Sequence, residues 1–364
     1  MKVALCTETV YPIYGVERRV YEMAKRLPKH GIEPVLITSL GNEFDSSIKT
    51  LKASDPTISI PPKRLYGNCI RYAANTARLA SKGYDVIDAN GHMSLFPCFA
   101  AAMLSGRPVV ATIHDIYGGD WKAMYKSPLS FAGKYAERFL CRLPYEKLVV
   151  LNNTVRRFMV SIGVPEERLE VIHSGIDTKK IDAVKGPKKS RNKVLYVGRL
   201  APQKNLDVLI RAFSMLENKA SLKIVGEGSE ADSLRKLSKS IGVDVEFHGK
   251  MSNEQVIREM KSSSILALTS SRENFGIVPL EAMRCGMVVV STRTEGPADY
   301  IKDGKNGFLV DIGSAEQVTE NLELLLSDKN LMSKMRKNGF RTSSEFDWDK
   351  IVGEIARLYR EILG

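Results

Sequence analysis

The chain has 364 residues, 43% hydrophobic and 26% charged, a composition that suits a soluble α/β protein with enough chain for two domains. The net charge of +12 is uneven, because 1–180 holds 25 basic against 17 acidic residues, and it suits an anionic partner: lipid, nucleic acid or a small anionic substrate. No apolar run nears the roughly 20 residues that cross a bilayer, the first residues lack a signal peptide's apolar stretch, and five cysteines without a CxxC pair read as reduced cytosolic thiols, not a disulfide or zinc framework.

Apolar runs at 2–6, 33–38, 86–89, 108–113 and 147–151 predict short buried strands with helical patterns between them. In 16–27, for example, Val16, Val20, Met23, Ala24 and Leu27 share a face. Ligands of open α/β sheets bind beyond the carboxyl ends of the strands, so the residues after each strand matter most. Gly15 opens the helix after the first strand, His92 follows the third, and Thr112-Ile113-His114-Asp115 ends the fourth. A histidine there is well placed for function, with a buried structural role as the alternative. Arg64, Arg71 and Arg78 recur every seven residues. Further on, Trp121, Met124, Tyr125, Leu129, Phe131, Tyr135, Phe139 and Leu140 alternate with Lys122, Lys126, Lys134, Arg138 and Arg142. That mixture suits an anionic membrane surface, and equally an amphipathic helix packed on its own domain. The basic, polar segment 179–193, with Gly186-Pro187, predicts a linker.

The alternation then resumes, with strands at 193–197, 222–225, 245–247 and 265–268 and helices at 206–216, 232–241 and 253–261, so two βα domains with parallel sheets follow. Their strand ends carry Gly198-Arg199-Leu200-Ala201-Pro202-Gln203-Lys204-Asn205, then Gly226-Glu227-Gly228, then His248-Gly249-Lys250. After the fourth comes Glu273-Asn274-Phe275-Gly276-Ile277-Val278-Pro279-Leu280-Glu281, two carboxylates eight positions apart across a strand-to-helix turn. Pro279 suits the first turn of the helix and Gly286 its C-cap, which places Glu273 in the loop and Glu281 in the first turn. Gly276 lets a ligand approach the backbone, and the helix-start N–H groups attract phosphate. Carboxylates beside a phosphate site make sense as acceptors for sugar hydroxyls. The tail, 346–362, reads as an amphipathic helix.

The segment ENFGIVPLEAMRCG matches "ExFGxxxxEAMxxG" in full and resembles the retaining glycosyltransferases of family 4, which have the GT-B fold. GRLAPQKN is similar to the family's "GRLxxxKN", VGEG to its "VGxG", and His114-Asp115 to its "HD". TEGPADYI resembles the "GGPxDxI" of mannosyltransferases that build lipid-linked oligosaccharides, with Glu295 in place of the first Gly. One departure is that the family's double glycine after the first strand survives only as Gly15, with Tyr14 before it.

The resemblance implies two Rossmann-like domains facing a central cleft, 1–180 for the acceptor and 186–343 for the donor, with a last helix, about 346–364, crossing back. It implies catalytic roles for His114, Arg199, Lys204 and Glu273, and donor contacts from Gly15, Gly226, Lys250, Asn274, Phe275, Gly276, Ile277, Val278 and Glu281, with His92 on the acceptor side. The chemistry is consistent, since a departing nucleoside diphosphate gains negative charge that preorganised cations stabilise most in the transition state. The expected partners are a nucleotide sugar and an acceptor that the mannosyltransferase likeness draws towards lipid-linked phosphates, at the cytoplasmic face of an anionic membrane; no nucleic acid, cofactor or metal is expected. Asp347-Trp348-Asp349 is the one Asp-x-Asp and sits where a helix cap is expected, and there is no Walker loop. A sugar-nucleotide epimerase or hydrolase on the same fold, or a silent nucleotide-sugar binding module, are the alternatives.

Overall fold

The computed structural model describes residues 1–8, 15–39, 45–55, 57, 66–114, 116 and 129–364. It divides into two units, Met1–Ser174 with Asp349–Gly364, and Gly175–Trp348.

The first unit is built on seven parallel strands, β1 (Lys2–Thr7), β2 (Glu33–Thr38), β3 (Thr50–Lys52), β4 (Val86–Asn90), β5 (Val109–Ile113), β6 (Lys147–Val150) and β7 (Leu169–Val171), in the order β3-β2-β1-β4-β5-β6-β7. In the five central strands the apolar side chains are almost fully buried on both faces, which is why short Val/Ile/Leu runs sufficed to locate them. The edge strands β3 and β7 have three residues each, too few for a periodic signal. The helices are α1 (Gly15–Arg26), α2 (Tyr66–Ala80), α3 (His92–Ser105), α4 (Leu129–Cys141) and α5 (Asn153–Ser161). The connections β3→β4, β4→β5 and β5→β6 all step the same way across the sheet, so right-handed crossovers put α2, α3 and α4 on one face. Strand order reverses between β1 and β4, the switch point where a crevice opens at the carboxyl edge.

The second unit has six parallel strands, β8 (Lys193–Val197), β9 (Ser221–Val225), β10 (Val245–His248), β11 (Ile265–Leu268), β12 (Val288–Thr292) and β13 (Phe308–Val310), in the order β10-β9-β8-β11-β12-β13. Here the switch point lies between β8 and β11. Its helices are α6 (Thr178–Ala183), α7 (Leu206–Ser214), α8 (Ala231–Ser240), α9 (Asn253–Ser262), α10 (Ile277–Arg284), α11 (Pro297–Tyr300), α12 (Ala315–Ser327) and α13 (Lys329–Glu345), and α14 (Trp348–Leu363) follows them.

One sequence expectation changes. The segment 179–193 is not an open linker: it contains most of α6, capped by the Asp177 carboxylate, which accepts from Lys180 N at 2.9 Å. The two compact units meet at 174/175. Ile176 N donates to Phe346 O (2.8 Å) and Trp348 N to Ile176 O (3.1 Å), so the ends of the second unit pair side by side. A Cβ on Gly175 would lie 2.7 Å from the buried Trp348 ring.

Candidate active site

In the second unit, the loops leaving β8 and β11 flank the switch point and are stitched together. Thr269 Oγ1 donates to Lys204 O (3.1 Å) and Asn205 O (2.8 Å), and Ser271 N donates to Gln203 O (2.9 Å). Asn205 turns the chain at φ 45°, in the left-handed region that Asn tolerates better than most residues. The result is an ion pair, with Lys204 Nζ 2.6 Å from Glu273 Oε2 and the side chains 17% and 26% exposed. A cation and a carboxylate from two loops thus meet, partly open to solvent, at the edge where the fold binds ligands.

The loop carrying Glu273 is held from behind. Gly276 sits at φ 76°, where a side chain would be strained, and its carbonyl accepts from the buried Tyr300 hydroxyl at 2.7 Å. Gly296 N donates to Glu273 O (2.9 Å), and the Phe275 ring lies 5.8 Å from Tyr300 and 6.0 Å from Phe346. Phe275 is therefore a core anchor, and its backbone is what it offers a ligand. Asn274 Oδ1 lies 3.4 Å from Arg272 Nε. α10 begins at Ile277 without a side-chain cap, so the amides of Ile277 and Val278 belong to the group that a helix start leaves without intrahelical partners. Glu281, expected in the first turn, is the fifth residue of the helix and lies in its second.

The remaining strand ends close the same edge. Gly226 and Gly228 are required by packing: a Cβ on Gly226 would lie 1.9 Å from Gly198 O, and one on Gly228 2.1 Å from Leu200 O. Lys250 is exposed, its amide donating to Glu227 Oε1 at 3.2 Å. Arg199 is exposed, and its carbonyl accepts from the Tyr196 hydroxyl at 3.0 Å. A hollow of about 240 Å³ between α7 and α8 presents Asp207 and Glu230 and no cation, which makes it unsuited to a pyrophosphate.

In the first unit, Gly15 opens α1 in the open, and a Cβ there would meet nothing within 4 Å. His92 opens α3, its Nε2 3.2 Å from Oε1 of the buried Glu137. His114 is buried just past β5, and Arg19 and His92 add to the burial that holds its pKa well below the usual imidazole value, so the ring is neutral. Its Nε2 lies 3.2 Å from Asn90 Oδ1, and Asn90 Nδ2 lies 3.1 Å from Asp88 Oδ1. The other Asp88 oxygen accepts from the Tyr359 hydroxyl of α14, and the buried Arg19 of α1 donates to His173 O. Burial raises the Asp88 pKa to about 6 against the pull of Tyr359, Arg19 and Asn90. Sequence reasoning passed over this set, although Asp88 and Asn90, alternate residues of an otherwise apolar strand, were a legible signal. Tyr14, Asp115 and the stretch from Trp121 to Lys126 lie outside the described residues. Among the described residues no three potential metal ligands gather, and no helix is long and apolar enough to cross a membrane.

Comparison with known proteins adds an independent line. The family model for glycosyltransferase family 4 matches residues 13–180, and that for glycosyl transferases group 1 matches 177–342. The chain is 26% identical over 374 residues to an uncharacterized glycosyltransferase of Methanocaldococcus jannaschii, covering 100% of this chain and 99% of that protein. It is 24% identical to a GDP-mannose:cellobiosyl-diphosphopolyprenol alpha-mannosyltransferase of Xanthomonas oryzae, covering 100% of this chain and 98% of that protein. Among solved structures, Anabaena HepE in complex with UDP and glucose superposes with a TM-score of 0.79 at 22% identity, covering 99% of this chain and 100% of that one. The sucrose-phosphate synthase of Thermosynechococcus elongatus does so with a TM-score of 0.83 at 20% identity, covering 99% and 98%.

Proposed function

Because the chain belongs to glycosyltransferase family 4 and is a glycosyltransferase of GT-B type, we propose that it moves a hexose from a nucleotide-diphosphate sugar to an acceptor with retention of anomeric configuration and without a metal ion. The observation that carries this reading is the pairing of Lys204 with Glu273 at the switch point of the second unit. In the reading, Lys204 and Arg199 take the departing diphosphate, helped by the amides of Gly15, Ile277 and Val278. Glu273 exchanges its lysine partner for sugar hydroxyls, and Glu281 accepts from the ribose diol. Gly226 and Lys250 border the nucleotide, and Asn274, Phe275 and Gly276 contribute backbone along the sugar. His114 of the first unit meets the transferred sugar, and His92 stands on the acceptor side. Preorganised cations matter most where charge develops, so each is worth more in the transition state than in the bound donor. No side chain is called on as a nucleophile; the departing phosphate takes the acceptor's proton.

Both UDP- and GDP-linked donors fit, since HepE was solved with UDP and the Xanthomonas protein is named for GDP-mannose. The acceptor in this reading is lipid-linked or phosphate-bearing, reached at the cytoplasmic face of an anionic membrane. A feature of the first unit supports that second partner. Tyr66 and Ile70 on α2, Phe96, Met103 and Leu104 on α3, and Tyr135 and Phe139 on α4 are all exposed. Arg71, Arg78, Lys134 and Arg138 lie on α2 and α4. α2 and α3 contain no carboxylate, and that of α4, Glu137, is buried against His92. Three helices with exposed apolar and basic side chains and, among their described residues, no exposed carboxylate suit anionic lipid.

The test is nucleoside diphosphate release from GDP-mannose, UDP-glucose and UDP-N-acetylglucosamine, with and without candidate lipid phosphates. Lys204→Ala and Glu273→Ala should each lower kcat by about 10²–10³-fold with thermal unfolding little changed. Near-normal turnover in either variant defeats the site assignment. Turnover that needs no acceptor points to the hydrolase or epimerase alternative, and donor binding without turnover to a binding module. Chelator-insensitive activity and a product of unchanged anomeric configuration test the two finer claims.

A further inference from the structure

We infer that Asp88 and Asn90 are positioning residues that lock His114 as its Nε2–H tautomer, so that the ring presents Nδ1 as a hydrogen-bond acceptor to a hydroxyl of the transferred sugar. The inference rests on His114 belonging to the transfer site and decides what it does there.

The direction of each bond in the chain follows from chemistry. An ionised carboxylate can only accept, so the Asn90 atom 3.1 Å from Asp88 Oδ1 is its NH₂ group. The amide oxygen therefore faces His114, 3.2 Å from Nε2, and Nε2 must carry the hydrogen. The Tyr359 hydroxyl donates to Asp88 Oδ2, so that oxygen also acts as an acceptor and the carboxylate cannot rotate freely.

The scaffold makes the chain stiff. Asp88 and Asn90 are alternate residues of β4, and Asn90 pairs in register with Thr112 of β5, so these side chains project to one face, and His114 follows two positions on, just past the end of β5. The chain is shielded from water, because Asp88, Asn90, Arg19 and Tyr359 are each at most 1% exposed and His114 is 7% exposed. Among the described residues, the charged and titratable groups around it include Cys6 from β1, Arg19 from α1, His92 and Cys98 from α3, and Glu354 and Tyr359 from α14. Burial pushes the Asp88 pKa up to about 6, still below neutral pH, while Tyr359 and Arg19 favour its charged form; burial and then Arg19 oppose a second positive charge, on His114. A neutral ring whose other nitrogen, Nδ1, holds a lone pair suits a hydroxyl donor. It suits phosphate oxygens poorly, having no hydrogen to give them.

The test is histidine-selective ¹⁵N NMR on the full chain without donor, the His114 signals being identified by their loss in His114→Gln. The expected result at neutral pH is a protonated Nε2 and an unprotonated Nδ1. A protonated Nδ1, a tautomer mixture or a cationic ring overturns the inference. Asn90→Ala should release the single tautomer and lower kcat by about 10- to 100-fold, the cost that loss of an orienting partner carries for metal-bound histidines, with a smaller change in donor KM. An unchanged tautomer or unchanged kcat overturns the positioning role. If Asn90→Ala does not fold, the wild-type spectrum decides alone. The spectrum needs no turnover, so it is readable even if the transferase reading fails.

Discussion

At the residue scale, His114 and Asp88 sit in one buried network and respond to pH in opposite senses. The folded-state pKa of Asp88 is raised to about 6, so its contribution to stability is fully present below its ordinary pKa near 3.8 and is lost as the pH rises through about 6. His114 is lowered, so its contribution is present above the usual imidazole pKa near 6.5 and is lost as the pH falls. Between about pH 4 and 6 the two oppose each other. Asp88→Asn removes one of them, which should change the difference in unfolding free energy between variant and wild type by roughly 3 kcal/mol across that window. Denaturant unfolding at a series of pH values measures it, and parallel curves for the two proteins would refute the account. Lys204 and Glu273 illustrate what the residue scale hides from sequence. Each was legible as a site residue from its own motif, but not that each is the other's partner.

At the element scale, the basic stretch before β8 has a purpose that composition concealed. Helix ends leave carbonyls without intrahelical partners, and cations are favourable there. Lys189 Nζ donates to Met260 O (3.4 Å) and Ser263 O (2.8 Å) at the end of α9, and to Cys285 O (3.0 Å) just beyond α10. Arg191 donates to Leu326 O (2.7 Å) and Ser327 O (3.2 Å) at the end of α12. Burial lowers the Lys189 pKa to about 8, so the ammonium remains mostly charged at neutral pH. Lys189→Met keeps the apolar stem and strands the carbonyls, and should destabilise the second unit by about 1–3 kcal/mol in denaturant unfolding. No measurable loss would mean that water replaces the ammonium at no cost. In sequence these residues look like a solvated linker, because nothing local marks which helix ends they meet.

At the scale of the whole molecule, the charge of +12 and the exposed apolar face of α2, α3 and α4 make one prediction. Basic residues near an anionic surface contribute about 1 kcal/mol each, and that attraction is screened over a Debye length of about 10 Å at 0.1 M salt. The protein should float with anionic vesicles at low ionic strength, less so as salt rises, and much less with neutral vesicles. Replacing Phe96, Met103 and Leu104 by Ser should weaken flotation and leave release of nucleoside diphosphate from a water-soluble acceptor assay unchanged. No flotation with anionic vesicles at low salt would remove the membrane from the account.

The sequence alone determined the α/β alternation, the family and the motif residues at the strand ends. Each of these is written in contiguous residues: buried strands as short apolar runs, the transferase signature as ENFGIVPLEAMRCG and GRLAPQKN. Tertiary structure decided where the units divide, which loops share an edge and which polar groups complete each other. Lys204 meets Glu273 across 69 positions, and Asp88 meets Tyr359 across 271. Such pairings depend on the reversal of strand order, which brings loops distant in the chain to one edge, and on the docking of α14 in the first unit. Local propensity carries no information about either, because both are set by the packing of complete sheets and helices.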